Sequence, residues 1–399
     1  MKAQEHRALG DGGTGGALVN VGGDAPHERL ELGFGDVVAL SADFFVPDGF
    51  PVPASLRDGS HAEALASDGL FMLALHPGDR GERPGTRDEI IGALKVMAAD
   101  QGLVDPRFEA DGEFAAFNFS ASAAETDVER RVRDRFLALG TSNDDHFVAP
   151  GLRGSTTMGD RPPSLFGSAR QAYRHLHERA LDEAWQLGRQ GGDLSRAMAR
   201  EAAAQHYLTD AFAAGHLRTP VAAMREFWQS LYPAFWTGLR RKVASDTAIA
   251  LRELALPLRL LPPGVVYSRT LDAVEARTSG YPRISLGDLL AKVFHDWDNT
   301  HGLALEGGGM LFGDGCLEQG LTRELALRAV RAGVADVEVA FSLGARGTGS
   351  SGPALYRAVR DTTGRADDVF LAEAMVPRPS AENAPQNWRA TDIDDLWSS

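Results

Sequence analysis

Three side chains that can bind a metal ion lie within the eleven residues of HYLTDAFAAGH, 206–216. They are His206, Asp210 and His216, and the rest of the segment suits a buried helix. His206 and Asp210 are four residues apart, so on a helix they project from one face and could share an ion. Gly215 is predicted to end the helix, which would turn His216 toward a second ion. About one His-x3-Asp pair is expected by chance, so a structural role on a helix surface fits this pair equally well.

The composition restricts the kind of site that this can be. Cys316 is the only cysteine among the 399 residues, which excludes an internal disulfide and every cysteine-based zinc or iron–sulfur site. Histidine, aspartate, glutamate and asparagine are therefore the ligands left for a metal. The formal net charge of −14 counts against a nucleic-acid substrate, although a local basic groove would still permit one.

Four segments, taken in order along the chain, resemble the signature of the bacterial zinc-dependent phospholipases C. They are SADFFVP with Asp43, DDHFVAP with His146, HYLTDAFAAGH, and FHDWDN with His295. The third segment matches the family's His-Tyr-x-Gly/Thr-Asp pattern, which is followed by a second histidine ten residues after the first. The resemblance covers about half of the chain as separate islands, and four ordered segments are harder to obtain by chance than one.

The resemblance implies two or three zinc ions held by named side chains. One ion would take Asp43, His146, His206 and Asp210, with Asp210 available as a bridge to the next ion. The second would take His216, His295 and either Asn299 or Asp298, because Asn299 stands where the family has glutamate and a neutral amide binds zinc less tightly. The family holds its third zinc partly through a mature N-terminal amine, and here His6, alone or with Asp11, is the candidate.

The resemblance also implies a reaction. Zinc ions would bind the phosphate oxygens of a phosphodiester and activate a water molecule, with Asp43 as general base. The expected substrate is phosphatidylcholine or a related phospholipid, split into diacylglycerol and a phosphorylated headgroup. Phe44 stands at the position of a family aromatic that lines the choline site, where cation–π attraction would hold the quaternary ammonium.

The protein is predicted to be mainly helical. A bundle of helices is expected to surround the zinc site and to position these residues. Helical spacing and terminal signals indicate helices at 86–102, 125–140, 168–188, 194–215, 285–299 and 322–341. Residues 114–122 alternate like a strand, and 303–315 indicate a glycine-turned hairpin. Residues 34–45 suit either a short strand or a buried helix start. Pro257, Pro262 and Pro263 are expected to keep residues 254–267 out of regular helix.

Three regions are expected along the chain. Residues 1–30, rich in glycine, are predicted to be an irregular arm that contributes to the site, and residues 31–342 to be the zinc-dependent phospholipase C-like domain. Residues 343–399 are expected to be a flexible linker and a C-terminal extension. An insertion at about 218–285 contains six large apolar side chains near helical spacing, and either core packing or a surface that meets lipid fits them. They are Phe227, Trp228, Leu231, Tyr232, Phe235 and Trp236.

Two other functions remain open at this stage. One is a single-strand-specific zinc nuclease of the same fold, and the other is a non-catalytic membrane-binding or partner-binding relative, which Asn299 favours. The N-terminus lacks the apolar core of a secretory signal, so a soluble protein is expected, either cytoplasmic or exported by a specialised system. The expected partner is a phospholipid at a membrane surface, with the protein a monomer or small oligomer.

Overall fold

The structure, a computed structural model, describes the larger part of the chain. The described residues are 2–21, 30–47, 71–73, 83–84, 87–103, 126–128, 130, 144–148, 168–278, 284–305 and 308–364. Within these ranges the protein is mainly helical with a few short strands, which confirms the expected fold class. None of the described helices combines the length and the hydrophobicity needed to cross a bilayer.

The elements follow one another as helices joined by short loops and small sheets. The helices are α1 (Ala3–Thr14), α2 (Phe34–Leu40), α3 (Arg87–Leu103), α4 (Ala169–Gln190), α5 (Ser195–Asp210), α6 (Ala214–Arg218), α7 (Val221–Leu231), α8 (Phe235–Leu254), α9 (Leu256–Arg259), α10 (Pro263–Thr278), α11 (Leu286–His301), α12 (Thr322–Ala345) and α13 (Pro353–Thr363). The strands are β1 (Leu18–Asn20), β2 (Glu31–Gly33), β3 (Val46–Pro47), β4 (Phe71–Leu73), β5 (Arg83–Pro84), β6 (Leu303–Ala304) and β7 (Met310–Leu311). They pair antiparallel as β1–β2, β3–β4–β5 and β6–β7, and the last pair is the expected hairpin.

Three long helices, α4, α5 and α12, form the centre of the fold. α4 begins where the hydroxyl of Ser168 accepts the N–H of Gln171, and it ends at Gly191 in the left-handed conformation. The apolar faces of the three helices meet in a core that includes Leu176 and Leu208. α11 lies apart from this core and packs on α6 and α7. Its start is fixed by a capping box between Ser285 and Asp288.

The N-terminal residues differ from the expected irregular arm. Residues 3–14 form α1, which packs against α2, α5 and α12 and buries Leu9 completely. The three glycines of this segment lower its intrinsic helix propensity, but burial of an apolar face outweighs that cost. The helix matters for the site because it carries His6, which is also fully buried.

The prolines of residues 254–267 begin helices instead of preventing them. Pro257 lies in the first turn of α9, and Pro263 is the first residue of α10. A proline has no N–H to donate, and the first-turn N–H groups of a helix have no intrahelical acceptor, so proline is tolerated there. The expectation that these prolines keep residues 254–267 out of regular helix is therefore wrong for α9 and for the start of α10.

Two helices also end at residues other than the predicted ones. α5 ends at Asp210, before the expected Gly215, and a turn leads into α6, which contains Gly215 and His216. α12 continues to Ala345, and the loop after it is held by the indole N–H of Trp185, which donates to the carbonyl of Thr348 at 2.9 Å. α13 then buries Leu355 and Val359 against α4 and α12, so the start of the expected linker is packed. The predicted strand at 114–122, most of the helix at 125–140 and residues 365–399 lie outside the described residues.

The inserted region has two parts that pack differently. α7 buries Met224 and Trp228 against α11, whereas Phe227, Leu231 and Tyr232 are exposed. Residues 235–278, which comprise α8, α9 and α10 and are called the helical arm below, pack on one another. Within the described part of the chain, the arm has no extensive contact with any other helix. The aromatic stretch is therefore partly core and partly surface.

A buried charge network joins α4, α5 and α12. Nδ1 of His177 lies 2.6 Å from the carboxylate of Glu201, and its Nε2 lies 3.7 Å from Asp336. Gln205 donates to the other oxygen of Glu201 at 3.0 Å. Burial alone lowers the pKa of His177, but Glu201 and Asp336 outweigh it and raise the pKa from 6.5 to about 10. The imidazolium thus compensates two carboxylates in the middle of the bundle.

We expect this network to make stability depend on pH. A group whose pKa is raised on folding stabilises the folded chain fully below its unfolded pKa, near 6.5, and that contribution is lost as pH rises toward about 10. The urea-derived free energy of unfolding should therefore fall between pH 7 and pH 10. His177→Gln should be less stable at pH 7 and show a shallower fall. An equal slope in the variant and the parent would contradict this assignment.

Candidate metal centre

The carboxylate of Asp210 lies at the middle of a cluster of histidines. Asp210 ends α5 and is fully buried. Its Oδ1 lies 3.3 Å from Nε2 of His6 and 3.5 Å from Nδ1 of His216. Its Oδ2 lies 2.7 Å from Nδ1 of His146 and 3.3 Å from Nε2 of His206. One carboxylate therefore faces four imidazoles that come from α1, α5, α6 and the turn at 144–146.

Three groups of ligand atoms can each hold a metal ion within this region. The first group is His6, His206 and Asp210; the second is Asp43, His146 and His206; the third is His216, His295 and Asp314. Within each group the ligand atoms lie within 4.8 Å of one another. His206 belongs to two groups, and Asp210 also contacts members of the other two, so the groups are neighbours that share ligands.

The histidine rings are oriented as metal-bound histidines usually are. A ligand histidine commonly donates one ring N–H to a protein acceptor, which leaves the other nitrogen with its lone pair facing the ion. Four rings have Nδ1 within 3.0 Å of such an acceptor, and the pairs are His206 with the carbonyl of Val38, His216 with the carbonyl of His146, His6 with the hydroxyl of Thr209, and His295 with the carboxylate of Asp296. Nε2 of His6, His206 and His216 is left as the ligand atom, whereas Nε2 of His295 also lies 3.2 Å from the amide nitrogen of Asn299.

The distances between ligand atoms also fit a shared ion. Two ligands bound at about 2.1 Å to one tetrahedral metal lie about 3.4 Å apart. Nε2 of His206 lies 3.3 Å from Asp210 and 3.3 Å from Nδ1 of His146, and Nε2 of His295 lies 3.5 Å from Asp314. Nε2 of His6 is buried and makes no hydrogen bond within the described residues, although it lies 3.3 Å from Asp210. These spacings are longer than good hydrogen bonds and close to the ligand-to-ligand separation of a metal site.

The electrostatics of the cluster mostly favour the metal-binding forms. Burial lowers the pKa of His6 to about 3 and also lowers the pKa of His216 well below its usual value. Burial would raise the pKa of Asp210, but the charge of the N-terminal amine and then the neighbouring imidazoles hold that pKa well below the usual range. Neutral imidazoles and an ionised carboxylate are the forms that bind metal. His206 is the exception, because Asp210 and Asp43 raise its pKa against the effect of burial.

Asp43 reaches the cluster from a sharp turn at the end of α2. Ala42 has a φ of 65°, a left-handed conformation that costs a residue with a Cβ about 1 kcal/mol. The turn is closed by the N–H of Ala42, which donates to the carbonyl of Phe45 at 2.6 Å. Burial raises the pKa of the Asp43 carboxyl, against the effect of His206 and His146. The side chain of Asp43 is 19% exposed, whereas that of His206 is fully buried, so solvent reaches this edge of the cluster.

Asn299 positions the third group, that of His216, His295 and Asp314, and is not placed as a ligand. Its Oδ1 accepts the N–H of Gly215 at 2.6 Å, and its backbone carbonyl accepts the N–H of Gly313 at 3.0 Å. A Cβ on Gly215 would lie only 2.4 Å from the carbonyl of His295, so only glycine permits this close approach of α6 and α11. Asn299 thus ties together the segments that carry His216 and Asp314.

Asp314 is the third ligand candidate beside His216 and His295, a role for which the sequence predicted Asn299 or Asp298. It follows β7 and completes the group with His216 and His295, while Asp298 is buried outside all three groups. His295 and His216 hold the pKa of Asp314 below its usual value, against the effect of burial. The only local signal for Asp314 was an aspartate between two glycines at the end of the predicted hairpin, which does not indicate a distance to a histidine 19 residues earlier.

Comparisons with protein families, with curated proteins and with solved structures found no match for this chain. The similarity to the zinc-dependent phospholipases C therefore stays at the level of the four short segments. The structure brings the key residues of those segments together, and this convergence is independent of how the segments were chosen. The buried histidine and aspartate clusters could bind a metal ion.

Two other candidates lie away from the cluster. Phe44 is 3% exposed and packs in the core with α2 and α3, so its position gives no support to a choline-binding role. Oδ1 of Asp11 accepts the N–H of Gly35 at 3.1 Å, so Asp11 ties α1 to α2 and joins none of the three ligand groups. His6 is the residue of α1 that reaches the metal centre.

We expect a methyl group at Gly35 to disturb the site through α1. A Cβ there would lie 2.3 Å from the carbonyl of Arg7, so α1 and His6 would have to move. Gly35→Ala should lower the free energy of unfolding by about 1–3 kcal/mol and, with Zn²⁺ used as the probe ion, reduce the zinc content after equilibration and dialysis. Gly238→Ala is the matched control, because nothing lies within 4 Å of the added methyl group in α8. Unchanged stability and zinc content in Gly35→Ala would contradict the packing argument.

We also expect Asp314, not Asp298, to hold an ion. Asp314→Asn removes a carboxylate from the group with His216 and His295, so protein equilibrated with Zn²⁺ as the probe ion should retain about one ion fewer per chain than the parent. Asp298→Asn should keep the parent content, because Asp298 lies outside the three groups. Atomic absorption on dialysed protein measures both, with circular dichroism to show that each variant is folded. Loss of zinc from Asp298→Asn alone would reverse the assignment.

Proposed function

We propose that this protein is a zinc-dependent phosphodiester hydrolase of the phospholipase C type. The observation that carries the proposal is the sharing of ligands among three adjacent His/Asp groups around Asp210. Imidazole and carboxylate ligands suit zinc, and adjacent ions can clamp both the attacking and the leaving oxygen of a phosphodiester. The described residues of the site therefore fit two or three zinc ions, with His6 as a ligand of the third.

The residues divide into buried ligands and ligands at the solvent edge. His6, His206 and Asp210 are fully buried, which shields them from competing water. Asp43 and Asp314 have the more exposed side chains, 19% and 25% respectively, so a phosphate would enter on their side. Asp43 is the general base of the proposal, since it combines this exposure with a position beside His206 and His146.

Zinc, when bound, lowers the pKa of a water molecule and neutralises charge that develops on the phosphate. The water oxygen forms a bond to phosphorus, and the bond from phosphorus to the glycerol oxygen breaks. Asp43 would accept a proton of the water, the departing glycerol oxygen would take a proton from solvent, and the products are diacylglycerol and a phosphorylated headgroup. The choice of a phosphatidylcholine-type substrate rests on the segment resemblance, because Phe44 lies in the core.

His206→Ala tests this proposal, and a second histidine-to-alanine variant serves as its control. The variant removes a ligand shared by two groups, so headgroup release from phosphatidylcholine vesicles by zinc-loaded protein should fall at least about a hundredfold. His301→Ala is the control, because His301 is exposed and stacks on Trp297 outside the ligand groups. Its activity should stay near that of the parent.

Two results would redirect the proposal. Zinc-dependent cleavage of single-stranded DNA without headgroup release would indicate the nuclease alternative. Fewer than one zinc ion per chain in protein purified without chelators, together with no hydrolysis of either substrate, would indicate a non-catalytic protein. A fully active His206→Ala variant would exclude the site described above.

A further inference from the structure

The helical arm packs mainly on itself and ends in an apolar turn. α8 has 20 residues, so it extends about 30 Å at 1.5 Å per residue, and α10 returns alongside it. The turn between them consists of residues 255–262 and includes the short helix α9. Arg259 stabilises this turn by donating to the carbonyl of Arg252 at 2.8 Å. The end of the arm is therefore a defined structure.

Large aliphatic side chains face solvent at this end. Leu254 is 85% exposed and Leu260 is 82% exposed, and Leu261 and Val265 beside them are also exposed. A groove of about 660 Å³ between α8 and α10 continues the apolar surface, and its lining includes Leu251, Leu258 and Leu261. Exposed apolar surface of this extent indicates an interaction site, whereas single exposed leucines are ordinary.

The arm also differs in charge from the rest of the chain. Residues 235–278 carry seven basic and four acidic side chains, a net charge of +3, whereas the whole chain carries −14. Arg252 and Arg259 are in or beside the turn, and Arg241 and Lys242 lie on exposed positions of α8. A basic segment with exposed leucines is the pattern of structures that bind at the surface of an anionic bilayer.

We propose that the helical arm binds an anionic lipid surface, with Leu254 and Leu260 entering the interface and the arginines contacting lipid phosphates. This surface does not require the hydrolase activity proposed above and stands on its own observations. A second copy of the chain fits less well, because two arms would meet with like charge. The eight-residue turn is also smaller than the roughly 20–30 residues that each partner contributes to a stable interface.

Vesicle flotation with the full chain tests the proposal. The parent should float with vesicles of phosphatidylcholine mixed with phosphatidylglycerol, bind neutral phosphatidylcholine vesicles more weakly, and lose anionic binding as NaCl is added. Leu254→Asp/Leu260→Asp should bind at least about tenfold less, because it removes two apolar anchors and adds negative charge. His206→Ala should bind like the parent, which separates binding from hydrolysis.

The controls exclude a general effect of surface charge or misfolding. Leu18→Asp introduces the same change at a side chain that is 66% exposed on β1, and it should leave vesicle binding unchanged. Leu260→Asp alone provides a milder variant, and circular dichroism reports folding of each protein. Absence of parent binding, or parent-like binding by the folded double variant, overturns the proposal. A dimer in sedimentation that the double variant dissociates, without vesicle binding, assigns the turn to self-association instead.

Discussion

The buried carboxylate of Asp210 is the constraint on which the site depends. An ionised carboxylate without water is costly unless it is paired, and Asp210 is surrounded by imidazoles from four different parts of the chain. The four imidazoles satisfy it only in part, since three of the four contacts, at 3.3 to 3.5 Å, are longer than good hydrogen bonds. A divalent cation among these atoms would compensate the carboxylate and the histidine lone pairs together, so ion binding and local stability are expected to be coupled.

The helices bring residues that are distant in the sequence close together at this cluster. His6 lies on α1, which reaches Asp210 because glycines allow close packing of α1 on α2. The turn that carries His146 is held on α6 by two hydrogen bonds, from the ring of His216 to the carbonyl of His146 and from the N–H of Val148 to the carbonyl of His216. Asn299 then joins α6 to the loop of Asp314. The backbone as well as the side chains thus fixes the separation of the ligand groups.

The part of this arrangement that the sequence could predict is the part encoded by local spacing. His206 and Asp210 are four apart on a helix, so their common face follows from helical geometry alone. The short ordered segments then indicated His146, Asp43 and His295 as their companions. Asp314 lies in a loop whose position depends on the carbonyl of Asn299, and no sequence period encodes that contact. The α1 helix was missed for a related reason, because its stability comes from burial of Leu9 and His6 by distant helices and not from its glycine-rich composition.

The net negative charge of the chain would repel a phosphodiester, and the proposed ions account for how such a substrate could still bind. The ligand groups contain three carboxylates, Asp43, Asp210 and Asp314. Two divalent ions would leave that site with a local charge of about +1, and three would leave about +3, so an anionic phosphate would be attracted at short range. Screening limits the effect of the acidic surface beyond about 8–10 Å at physiological ionic strength. The arm proposed to bind lipid is separate from this site, because its net positive charge lies on a helix pair that packs mainly on itself.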